Sequence, residues 1–183
     1  MQDSPQTQAA ALTDAALRLL ASGRSAASLG AAELAASAGL PEPAFQRCFP
    51  AREDFLTAVF QRLLDEAREE ATRATADLPA GMLRLKRGVE GYLDSHLRSP
   101  ALRELTLALR GHDPAQAIIV QRIAGFHRVL QVGLSALRSL HPLAAAQLAT
   151  ALVVETTQAE YEAQSPLPDL RETLYAYLDH LAP

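Results

Sequence analysis

The chain of 183 residues has no tryptophan, one cysteine and one lysine, and only 5% of it is aromatic. A lone Cys48 closes no internal disulfide and completes no metal-spaced cysteine cluster, so a stapled or cysteine-zinc fold is not expected. At its apolar helix position, with no second cysteine to resolve it, it reads as a small core residue rather than a redox switch. Val and Ile together number ten against 67 Ala and Leu. That balance favours helix formers over β-branched strand formers, and the fold class expected is all-α. No uncharged apolar run approaches the ~20 residues of a membrane-spanning helix. The N-terminus lacks the basic stretch and apolar run of a signal peptide, so the expected location is cytoplasmic, with no membrane partner. Catalytic signatures are missing too: no Glu-x-x-His, His-Glu-x-x-His, Gly-x-x-x-x-Gly-Lys or Gly-x-Ser-x-Gly occurs, and the histidines at 96, 112, 127, 141 and 180 are scattered. No catalytic residue, metal ligand or cofactor is nominated, and an enzyme is not expected. The net charge of -4 speaks against indiscriminate nucleic-acid binding.

What is present is a string of about nine amphipathic helices punctuated by Pro and Gly. Leu12, Ala16, Leu19 and Leu20 share a face that stops near Gly23. Two short helices follow, roughly Gly30 to Ala38 and Pro41 to Cys48. A longer one begins after Pro50 and carries Phe55, Leu56, Val59, Phe60, Leu63 and Leu64 until Asp77-Leu78-Pro79 breaks it. Further helices run through Leu85, Val89 and Leu93, through Leu102, Leu105 and Leu109 after Ser99-Pro100, and through Ile119, Ile123, Phe126, Leu130 and Leu134 after Asp113-Pro114. The last two, about Pro142 to Gln164 and Pro168 to Leu181, are separated by Ser165-Pro166-Leu167-Pro168.

Ala31 to Cys48, AAELAASAGLPEPAFQRC, is the segment with the most specific pattern. Two short helices joined at Gly39 have helix-turn-helix spacing, with Leu34, Ala38, Leu40, Phe45 and Cys48 directed to a shared small core and Gly39 free to take a positive φ. In such a unit the second helix lies in the DNA major groove.

The first 60 residues resemble the TetR family of bacterial transcriptional regulators. Leu12, Ala15, Ala16, Leu19, Leu20 and Gly23 match the family's first helix; Glu33-Leu34-Ala35 and Ala38-Gly39-Leu40 match its acidic-aliphatic-Ala and Ala-Gly-aliphatic elements. Phe49-Pro50-Ala51-Arg52-Glu53-Asp54-Phe55 matches the opening of its fourth helix. The resemblance implies a helix-turn-helix DNA-binding domain over residues 1–51 and a helical effector-binding and dimerisation domain over residues 52–183. It also implies double-stranded operator DNA, a small-molecule effector and a second copy of the chain as partners, with repression of transcription as the activity. DNA-binding positions carried over are Ser28, Glu42, Ala44, Gln46, Arg47 and Arg52. Gln46 suits adenine N6/N7, Arg47 suits guanine O6/N7 or a phosphate, and Glu42 suits cytosine N4 or else repels phosphate. Arg52 takes the family's usual Lys position, and Ser28 the hydroxyl that opens its second helix, where a phosphate can sit.

Two departures stand out: Pro41 replaces the Ser or Thr that begins the family's recognition helix, and Gln46 its habitual Tyr. Residues 1–60 carry four basic groups against six acidic ones, a weak footprint for phosphate. A ligand- or protein-binding module with weakened DNA contacts is therefore the alternative function. In the larger half, Tyr92, His96, His127 and Glu155 fall on otherwise apolar faces and are the candidate ligand-binding residues for a small, largely apolar effector. The final two helices resemble the family's dimer-forming pair.

Overall fold

The computed structural model describes residues 4–181. Among the described residues there are nine α-helices, one 3-10 turn and no strand, as the shortage of β-branched residues predicts. In chain order these are α1 (Pro5–Ala21), the 3-10 turn (Ala26–Ser28), α2 (Ala31–Ser37), α3 (Pro43–Cys48), α4 (Arg52–Ala74), α5 (Met82–Leu97), α6 (Pro100–Ala108), α7 (Asp113–Ala136), α8 (Pro142–Ala163) and α9 (Pro168–Asp179). They form two compact units. One runs to Asp65 and takes in Ala101–Gln116; the other comprises Glu66–Pro100 and the chain from Ala117. The units part at Asp65 rather than at residue 51, because Phe55, Val59 and Phe60 on the first turns of α4 are fully buried side chains of the first unit.

In the first unit α1, α2 and α3 pack on one another, with Leu12, Ala15, Ala16, Leu34 and Ala44 sealed from solvent. Both α1 and α2 end in the same way. Gly23 (φ 90°) donates to Leu20 O and Arg24 to Leu19 O, while Gly39 (φ 68°) donates to Ala36 O and Leu40 to Ala35 O. Each is a six-to-one and five-to-two pair closed over a left-handed residue, a conformation that favours glycine. The next helix starts two residues later than Pro41. Pro43 has no N–H, and Ala44 and Phe45 donate to Pro41 O and Glu42 O in three-residue steps, so α3 proper begins at Pro43.

The second unit is built around Val89 and Leu93 of α5, Leu130 and Leu134 of α7, Ala146, Ala149 and Val153 of α8, and Leu174 and Leu178 of α9. Gly91 lets α5 cross α4 closely, since a Cβ there would stand 3.4 Å from Ala71 Cα. Three hydroxyls on α8 are buried without penalty, Thr150, Thr156 and Thr157 each donating to the carbonyl four residues earlier. Glu160, only 1% exposed, lies on the same inward stripe. Its two oxygens receive Arg171 Nε at 2.6 Å and Nη2 at 2.8 Å, and Oε1 also takes the Leu167 amide at 3.0 Å. The remaining arm of Arg171 reaches Asp94 Oδ1 at 2.6 Å, so one guanidinium ties α5, α8 and the start of α9.

A buried pair of this kind is costly to break and cheap to replace. Arg171→Ala is expected to lower the unfolding free energy by about 3–5 kcal/mol, because it leaves the Glu160 carboxylate buried and uncompensated. The double change Arg171→Met with Glu160→Leu should lose much less. Urea unfolding of the two variants checks this, and equal losses would contradict it.

Candidate nucleic-acid interface

The exposed surface of α3 follows from its burial pattern. Ala44 and Phe45 are turned into the unit, whereas Glu42, Pro43, Gln46 and Arg47 are exposed. A six-residue helix is too short to be stable alone. Here it is anchored by three rings: Phe45 lies 5.1 Å from Phe55 and 5.8 Å from Phe49, and Phe49 lies 5.4 Å from Phe55, the contacts with Phe55 being edge-on. Glu42, Gln46 and Arg47 therefore project from a fixed backbone.

Ala44, expected among the DNA-binding positions, has no exposed surface. One residue from Phe45 on a short helix, it falls on the packed side and supplies the small side chain that packing needs. Ser28 is exposed, but it does not open α2. The helix is capped by Gly30 without a side-chain bond, and the Ser28 hydroxyl donates instead to Ser25 O at 2.7 Å. Cys48 is half-buried, with Sγ 3.6 Å from Pro5 O.

The four arginines of this region have different fates. Arg18 donates to Ser37 O, and Arg24 makes a two-pronged pair with Glu33 at 2.6 and 3.1 Å. Arg52 donates Nη1 to Leu29 O at 3.0 Å and Nη2 to Ala26 O and Ala27 O at 3.1 and 2.9 Å. It thus gathers the carbonyls at the end of the 3-10 turn. Arg47 makes no hydrogen bond or ion pair among the described residues, which leaves its whole donor fork on the exposed side of α3. The other end of the 3-10 turn is held from α6. Glu104 accepts the Ser25 hydroxyl at 2.6 Å and the amides of Ala27 and Ala26 at 2.8 and 3.0 Å. No local pattern in the sequence marks Glu104 for this contact, since its partners lie 77 to 79 residues away.

The four effector candidates separate in the second unit. Tyr92 and His96 lie on successive turns of α5 with ring centres 3.9 Å apart and planes tilted by 37°, and Tyr92 stacks on Phe126 of α7 at 5.4 Å. Burial pushes the Tyr92 hydroxyl up to about 12. His96 contacts Tyr92 O through Nδ1 at 2.9 Å. A carbonyl only accepts, so Nδ1 carries the proton and Nε2 of the neutral ring is left as an acceptor. His127 is half-buried, its Nε2 3.5 Å from Leu143 O. Glu155 is exposed and joins neither ring cluster nor core. It lies on the outward side of α8 beside the exposed Leu148 and Leu152, and the inward carboxylate is Glu160. The 149, 153, 156, 160 spacing of the α8 core stripe was a signal for Glu160 that an apolar count passes over. A shallow hollow at the α7–α8 turn, lined by Leu140, His141, Leu143 and Gln147, includes none of the four candidates.

A packed helix-turn-helix unit joined to a larger helical unit defines an architecture, and comparison with solved structures gives it a family fold. The chain is similar to a transcriptional regulator from Rhodococcus sp. Rha1 (18% identity, 98% of this chain and 96% of that one, TM-score 0.66). It is also similar to a TetR-family transcriptional regulator from Streptomyces coelicolor (18%, 99% and 80%, 0.65). A third similar structure is the TetR family repressor AlkX from Dietzia sp., implicated in biodegradation of n-alkanes (22%, 95% and 97%, 0.62). No family model matches the sequence, and no curated protein matches it. The chain has the fold of the TetR-family transcriptional regulators over nearly its whole length.

The environment of His96 makes stability depend on pH. Burial lowers its pKa from 6.5 to about 4, against a smaller opposing effect of the Tyr92 carbonyl. Between those values the unfolded chain takes up a proton that the folded chain refuses. The His96 contribution is intact above pH 6.5 and is lost as pH falls towards 4, by up to about 3 kcal/mol. Urea midpoints should therefore fall between pH 6.5 and 4.5 more steeply in the native chain than in His96→Leu. Identical slopes would contradict the assignment.

Proposed function

We propose that the chain is a duplex-DNA-binding transcriptional regulator, acting as a twofold dimer and repressing until a small, largely apolar effector binds. The observation that carries the reading is the presentation of Glu42, Gln46 and an Arg47 without a partner among the described residues on one side of a helix anchored by Phe45, Phe49 and Phe55. Those three side chains offer an acceptor, an amide and a guanidinium to base edges in the major groove. The fold shared with TetR-family regulators supports the same reading. Arg52, Glu104 and the Ser25–Ser28 turn support the interface rather than supplying its contacts. Ser28, exposed at the end of that turn, spends its hydroxyl proton on Ser25 O.

For the dimer, support comes from α8. Leu148 and Leu152 are 59% and 40% exposed, an unusual outlay of apolar surface on one helix flank. The apolar stripe of α9 is more nearly used up within the chain, with Leu174 and Leu178 buried, so α8 is proposed as the larger contributor. Two chains related by a twofold would set two copies of α3 about 34–36 Å apart, one turn of B-DNA. Tyr92, His96 and Phe126 are the proposed effector-sensing group, with His127 at its margin. An effector that prefers a conformation in which the α3 spacing is wrong for DNA lowers affinity by that preference.

The test is fluorescence anisotropy of the purified chain on the duplex flanking its own coding sequence, and on duplexes selected from a random library. It is run at two salt concentrations with an unrelated duplex as competitor. Competitor-resistant, salt-sensitive binding is expected. Arg47→Ala should then cost about 1–3 kcal/mol: loss of preference at one base pair marks a guanine contact, and a uniform loss with a shallower salt slope marks a phosphate contact. If neither duplex source binds, the regulator reading fails. A module with weakened DNA contacts, which the engagement of Arg24 and Arg52 within the chain favours, then takes its place.

A further inference from the structure

The short turn before α2 is held at both ends by side chains of opposite charge. At its N-terminal end, Ser25 Oγ, Ala26 N and Ala27 N all donate to the Glu104 carboxylate. At its C-terminal end, Ala26 O, Ala27 O and Leu29 O all accept from Arg52. Anion at the free amides and cation at the free carbonyls is the arrangement that backbone dipoles favour. Between the two charges Ala26 and Leu29 are plugged into the unit, 2% and 1% exposed. Gly30, the next residue, caps α2. The position of this turn therefore sets where α2 begins, and α2 with its Gly39 turn sets α3.

The two halves of the clamp differ in origin. Arg52 is supplied by the chain that follows α3 directly, whereas Glu104 is supplied by Ala101–Gln116, a segment inserted between helices of the other unit. Capping the turn does not require it: Ser25 Oγ already accepts from Ala27 N at 3.2 Å. Burial pushes the Glu104 carboxyl up, but the Ser25 hydroxyl and the amides of Ala27 and Ala26 more than reverse this and hold it below its ordinary value. The carboxylate form is thus the one the turn selects.

We infer that Glu104 is a positioning residue for duplex binding, through which the segment 101–116 holds the start of α2, and hence the exposed side of α3, in the arrangement that fits DNA. The inference rests on the DNA-binding reading and adds to it the point at which affinity can be set from outside the helix-turn-helix. Any event that draws α6 away withdraws three acceptor contacts from Ser25, Ala26 and Ala27 and leaves Arg52 as the sole charged hold on the turn.

The experiment uses the full chain, its Glu104→Ala variant and the near-isosteric Glu104→Gln, which keeps folding comparable if the alanine form is unstable. Amide hydrogen exchange at Ala26 and Ala27, thermal midpoint, and anisotropy on the duplex selected by the native chain are read together. In Glu104→Ala, exchange at the two amides should rise and affinity for the selected duplex fall about tenfold or more, while affinity for an unrelated duplex changes little. Glu104→Gln should lie between, since a neutral amide accepts less strongly. Faster exchange with unchanged discrimination between the two duplexes would show a capping role only and overturn the inference, as would unchanged exchange. If the native chain itself selects no duplex, the DNA-binding reading fails and the inference falls with it, an outcome distinct from failure confined to the variants.

Discussion

The rings of Phe45, Phe49 and Phe55 are the contact on which the outward face of α3, the candidate interface, depends. A helix as short as α3 has little stability of its own, so the direction of its outward side chains is decided by what its inward ones pack against. Phe45 comes from α3, Phe49 from the residue that ends it, and Phe55 from the first turn of α4. Together they fix the middle and the C-terminal end of the helix against the long α4, while Ala44 is sealed on the same side. Glu42, Gln46 and Arg47 are oriented only because these residues are sealed.

Charge on this unit is used mostly for construction. Arg18 and Arg52 donate to backbone carbonyls and Arg24 is neutralised by Glu33, so three of four cations near α3 hold the scaffold. A surface prepared in this way leaves few cations free for phosphate, so the proposed recognition would rest on a few directed contacts. The same economy runs through the second unit, where Arg171 joins Glu160 and Asp94. Its neutral His96 lies against the tilted ring of Tyr92.

What could be read in the sequence was local and periodic. Helix stripes, the proline at the start of α6 and α8, and the glycines that end α1 and α2 all depend on residues a few positions apart, and these features are present in the structure. Features that depend on which side of a helix is inward were harder. Ala44 reads as a groove residue until the packing of Phe45 decides the matter, and Glu155 reads as interior until the α8 stripe is seen to pass through Glu160 instead. Ser28 has the right residue type near α2, but the backbone makes Gly30 the cap. Least legible were Glu104 with Ser25 and Arg171 with Asp94, pairs 79 and 77 residues apart. No spacing rule connects such positions, and only the folded chain brings them together.

We propose that the outward side of α3 meets the DNA. This is tested most directly by amide hydrogen exchange of the full chain with and without the duplex it selects. Protection concentrated at residues 42–47 and at the 25–30 turn is the predicted result. Protection confined to other helices, with α3 exchanging as in the free chain, would contradict it.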